Sequence, residues 1–163
     1  MIALLVIVAA LGTACLPLLL RFIRRLLPSC TFDPASSCLP IAASFAILMS
    51  VFLPDIHISN ETNTFQQHFV GGGMYAAFLF LYARQLLGWR FQWLVELCLL
   101  FAWVSALGVL VELGEFTLIH LGLKHINSGD TDWDLLANTL GSLMVYGINI
   151  AVRHVIAIFP KGE

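Results

Sequence analysis

Apolar residues in this chain come in long, nearly unbroken blocks rather than in an alternating or one-faced pattern. The first block runs from Ile2 to Leu20 and the second from Pro40 to Leu53, bracketed by Pro40 and Pro54. The third runs from Gln67 to Leu87, the fourth from Phe91 to Leu123, and the fifth from Trp133 to Ile158. Polar stretches at 21–39, 54–66 and 124–132 and a short Gly88-Trp89-Arg90 link separate them. A spanning helix needs about 20 mainly apolar residues. The spacing therefore predicts an all-α, polytopic transmembrane bundle. It is one domain over residues 1–163, with helices near 2–20, 40–53, 67–87, 91–123 and 133–158. As a single helix the fourth block would reach roughly 50 Å, well beyond a ~30 Å hydrocarbon core. It must tilt, break near Gly108 or Gly114, or project. No internal repeat or linker interrupts the pattern.

Composition strengthens this picture. Hydrophobic residues make up 60% of the chain, charged residues 11%, and the mean hydropathy is +0.90. A soluble domain carries roughly a quarter charged residues, so most of this surface must face lipid. With only eight Lys and Arg and no basic run, nucleic acid is excluded as a partner. The first block lacks a basic start, and its arginines follow the apolar run, so it reads as an uncleaved helix rather than a signal peptide. The Leu11-to-Cys15 stretch has only a faint likeness to a lipoprotein cleavage site.

Five alternating helices place Arg21, Arg24, Arg25, Arg84, Arg90, Arg153 and Lys161 on one side and Lys124 alone on the other. Positive residues collect on the cytoplasmic side. The expected topology is a bacterial inner-membrane protein with an extracytoplasmic N-terminus. Cys30 and Cys38 then lie in a reducing compartment as thiols. Cys15 and Cys98 sit within apolar runs, and no cysteine pair has metal-site spacing.

The predicted outer side is rich in polar residues, and three groups need a reason. Glu112 and Glu115 share a helix face inside an apolar run. A carboxylate there costs at least ~2.5 kcal/mol without a partner or a polar cavity. A helix end in water or a bond to a neighbouring helix would also account for them. Asp130, Asp132 and Asp134 open the fifth block, with Asn138 four residues beyond Asp134 and Gly141 following. Acids in a first turn cap a helix and suit its dipole, but capping leaves Asn138 unexplained. His68 begins the third block, one turn before Gly71, Gly72 and Gly73; an interfacial histidine is its plainest reading. Carboxylates, an imidazole and an amide at one depth suit acid–base catalysis by His68, Glu112, Glu115 and Asp134. They also suit a divalent cation held by Glu112, Asp130, Asp134 and Asn138.

These motifs resemble the VanZ-like and YjdF-like small bacterial membrane proteins. The resemblance rests on His68-Phe69, on Ser105-Ala106 through Glu112 and Glu115, and on Gly129 to Gly141, and it covers roughly residues 66–145. It marks His68, Glu112, Glu115, Asp130, Asp134 and Asn138. It implies a cell-envelope role associated with resistance to teicoplanin-type glycopeptides, without implying a reaction. The expectation is an outer-face site that binds or acts on a lipid or lipid-linked envelope molecule. The alternatives are a small ion-coupled transporter, or a non-catalytic subunit docking a partner in an oligomer or larger complex. On the inner half only Glu96 and His154 are polar candidates, which is sparse for a transport path.

Overall fold

The computed structural model describes residues 2–26, 38–58, 61–122 and 131–158. Helix α1 covers Ile2–Leu26, α2 Cys38–Ser50, α3 Phe65–His68, α4 Tyr75–Leu86, α5 Trp93–His120 and α6 Thr131–Ile158. Strands β1 (Ile56–Ile58) and β2 (Glu61–Asn63) form a small antiparallel hairpin between α2 and α3, pairing Ile56 with Asn63 and Ile58 with Glu61. The sequence pattern reads this stretch only as a polar loop. Three residues of alternation are too few to distinguish a strand from a turn.

α1, α5 and α6 are each long and apolar enough to cross a membrane. α2 has 13 residues and extends only about 20 Å, short of a full crossing. α5 is unbroken through Gly108 and Gly114, and its 28 residues reach about 42 Å. Of the options for this over-long block, breakage is the one not taken. Gly108 is used for packing, since a Cβ there would lie 3.2 Å from Leu135 Cδ2 on α6. α4 and α5 both stop at a glycine in the left-handed region, Gly88 (φ +63°) and Gly122 (φ +71°), as αL caps require.

Between α3 and α4 the chain stays helical but widens into a π-helical turn over Phe69–Met74. Three successive glycines weaken the α ladder there, and the wider turn carries the backbone against α6. A Cβ on Gly73 would collide with the Asn138 carbonyl, and one on Gly141 with the Phe69 carbonyl. Two backbones meet here with no side chain between them, as small residues allow in membranes.

α1 packs on α2, α2 on α4 and the π turn, these on α6, and α6 on α5. Ser44 Oγ donates to the Ala10 carbonyl at 2.9 Å, and Thr13 Oγ1 lies 3.0 Å from Tyr75 OH, tying α1 to its neighbours near the helix-interior Pro17. A tight apolar core of Ala76, Phe80, Leu81, Leu100, Val104 and Val145 joins α4, α5 and α6. Large apolar side chains such as Leu18, Phe45, Leu110, Phe116 and Ile148 point outward. Only lipid makes that surface tolerable, and the fold is an α-helical membrane bundle.

Candidate functional site

The polar end where α2 and α5 finish, α3 begins and α6 starts gathers several of the expected residues. His68 Nε2 lies 3.3 Å from Asp134 Oδ2. Thr64 Oγ1 donates to the other carboxylate oxygen, Oδ1, at 3.1 Å. Asp134 is buried although it stands in the first turn of α6. Its carboxylate joins α6 to the residues before and within α3, a role beyond capping its own helix. α3 is held in place locally: Asn63 Oδ1 accepts from the Phe65 backbone N–H at 2.7 Å. Gln67 Nε2 donates to the Leu53 carbonyl at 3.2 Å and to Asp55 Oδ1 at 2.8 Å.

One turn further along α6, Asn138 is 6% exposed. Its Oδ1 has no hydrogen-bond partner and lies where a Cβ on Gly72 would be. A side chain at Gly72 would therefore have to displace the buried Asn138 amide. Asn138 therefore serves the π turn on one side, while its Nδ2 lies 3.5 Å from the place a Cβ on Gly108 would occupy. On the same stretch of chain Leu53, Phe65, Gln66, Phe69 and Val70 line a shallow, open apolar cleft of about 280 Å³, which His68 does not line. Phe65 stacks on Phe69 with ring centroids 6.3 Å apart and meets Trp133 edge-on at 6.4 Å.

The structure thus brings together His68 and Asp134 and places Asn138 one turn away. Glu112 is half-buried. It follows Gly108 by one turn and so shares the α5 face that packs on α6. The side chain of Glu115, and all of Asp130, lie outside the described residues, as do Lys124, His125 and Cys30. Asp132 is exposed. Among the described residues, no three His, Cys, Asp or Glu side chains are close enough to hold a metal ion.

The opposite polar end holds a cluster whose meaning the sequence conceals. Glu96, one turn into α5, is 1% exposed. Arg153 of α6 clasps its carboxylate with both terminal nitrogens, Nη2 to Oε1 at 3.2 Å and Nη1 to Oε2 at 3.4 Å. Arg84 of α4 brings Nε within 3.0 Å of Oε1. With its amide oxygen turned toward Arg153, Asn149 accepts from Nη2 and Nε at 3.1 and 3.2 Å. Tyr146 OH donates to the Trp93 carbonyl at 2.9 Å. Glu96 is thus a buried ion-pair partner, whereas His154 is exposed. The available signal was one charge on each of three helices at matched depth.

No known protein family, curated protein or solved structure matches the chain.

Proposed function

We propose that this chain is a bacterial inner-membrane protein that binds and acts on a lipid or lipid-linked envelope molecule from the extracytoplasmic face. The observation that carries the reading is the His68–Asp134–Thr64 constellation, built on a buried carboxylate at one polar end of an apolar helical bundle. A carboxylate bonded to one ring nitrogen fixes an imidazole's orientation and tautomer, as acid–base work requires. The apolar cleft lined by Phe65, Phe69 and Val70 lies at the same end of the bundle and is of a kind that suits a hydrocarbon chain. The resemblance of residues 66–145 to VanZ-like proteins supports an envelope role. A divalent cation would draw on Glu112, Asp130, Asp134 and Asn138, of which Asp130 lies outside the described residues. An ion-coupled transport role is disfavoured by the apolar core of Phe80, Leu81, Leu100, Val104 and Val145, which separates the two polar ends.

The test is the phenotype of a deletion strain carrying His68→Ala, Asp134→Asn or Glu112→Gln. If His68 does chemistry, His68→Ala and Asp134→Asn insert and fold normally yet lose complementation by about a hundredfold or more, the usual worth of a general acid–base group. Glu112→Gln keeps the shape but removes the charge, and it too should lose function. Full complementation by all three variants would overturn the proposal.

The topology is tested by thiol labelling from each side of the membrane. Cys38, exposed at the start of α2, should react only from the cytoplasmic side. Reaction only from outside would invert the assignment and move the His68 site to the cytoplasm.

A further inference from the structure

We propose that the Arg84–Glu96–Arg153 cluster is a binding site for the phosphodiester headgroup of an anionic membrane lipid. Two guanidinium groups share one carboxylate, which leaves one net positive charge on a largely buried cluster. Arg153 uses its forked face on Glu96. Arg84 does not: its Nε stands 3.0 Å from Oε1 without the alignment of a hydrogen bond. No described residue engages its outer nitrogens. The Arg84 side chain is only 19% exposed and its Nε is buried, so a largely buried stem presents the outer donors at the surface. Planar, paired N–H donors of this kind match the two unesterified oxygens of a phosphodiester.

The depth of the cluster identifies a lipid as the source. Trp89, Phe91 and Trp93 are exposed around the α4–α5 link, and Trp89 and Phe91 pack with ring centroids 5.7 Å apart. Exposed tryptophans beside apolar helix ends mark the level of the headgroups. Arg153 is 38% exposed and connects the buried carboxylate to that level. A phosphodiester seated here would accept from Arg84 and neutralise the surplus charge that Glu96 leaves. This site is independent of His68 and Asp134, which occupy the other end of the bundle.

The full chain is reconstituted in nanodiscs of phosphatidylcholine alone or with phosphatidylglycerol, and thermal unfolding and bound lipid (by native mass spectrometry) are followed. Phosphatidylglycerol should raise the unfolding temperature of the wild type, because a ligand bound only by the native state stabilises it. Arg84→Gln should weaken phosphatidylglycerol binding about tenfold, the worth of a charge-assisted hydrogen bond, and abolish the thermal increment. This variant should fold, since Glu96 keeps Arg153. Arg84→Lys, which keeps the charge but loses the fork, should lose most of the increment, while Arg90→Gln at the exposed link should retain it. The proposal is overturned if Arg84→Gln or Arg84→Lys retains the full increment, or if Arg90→Gln loses as much. It is also overturned if inorganic phosphate added to phosphatidylcholine discs gives the whole effect, which would assign the site to a soluble anion.

Discussion

Gly73→Ala should be among the most damaging single substitutions in this chain. The added methyl would fall on the carbonyl, carbonyl carbon and Cα of Asn138, and backbone cannot swing aside as a flexible side chain can. Overpacking a tight contact costs about 3 kcal/mol when the structure cannot relax. The only relief is separation of the π turn from α6, which would also pull His68 away from Asp134. Gly141→Ala should behave alike, because its methyl would meet the Phe69 carbonyl across the same seam. Gly114 and Gly147 provide the contrast, since a Cβ at either meets nothing within 4 Å. Alanine there should be neutral or stabilise by up to ~1 kcal/mol through helix propensity. Thermal unfolding of the four variants in one detergent checks this. Equal behaviour of Gly73→Ala and Gly147→Ala would mean that the close backbone seam is not what holds the π turn to α6.

The sequence made the helical class legible because lipid demands long apolar blocks, and such blocks survive any detail of packing. Four of the five expected segments appear as single helices. The third differs because Gly71, Gly72 and Gly73 show as small residues in a sequence, while the π turn they permit depends on α6 lying opposite. The pairing of His68 with Asp134 was partly legible, because both precede apolar runs and helix alternation puts those starts at the same end. Thr64 and Asn63 were not, since short polar residues before a helix look like ordinary capping. Asn138 was read as a site residue from its place four residues beyond Asp134 on one helix face and from the resemblance that marks it. The structure gives it a packing partner in Gly72, so its burial has a structural cause beside any chemical one.

Glu96→Ala should be the most destabilising charge change, and more harmful than loss of either arginine alone. Removing Arg84 leaves Glu96 clasped by Arg153, and removing Arg153 leaves it beside Arg84. Removing Glu96 leaves two guanidinium groups that shared one carboxylate without it, Arg84 largely buried and Arg153 reaching the surface. Breaking a buried pair in this way costs about 3–5 kcal/mol, mostly from the charge left uncompensated. The result should be low yield and early thermal unfolding, with α4, α5 and α6 losing their common contact at this end. The sign of the coupling separates this account from simple loss of packing. In a Glu96→Ala background, Arg84→Leu removes one of the repelling charges and should recover about 1–2 kcal/mol, whereas in the wild type it should destabilise. Additive losses in the double variant would show that the three side chains do not act as one electrostatic unit. A carboxylate and two arginines then stand together because each neutralises charge that an apolar surrounding would otherwise reject, and an acid that sequence offers only as an inner-side polar residue is the keystone of three helices.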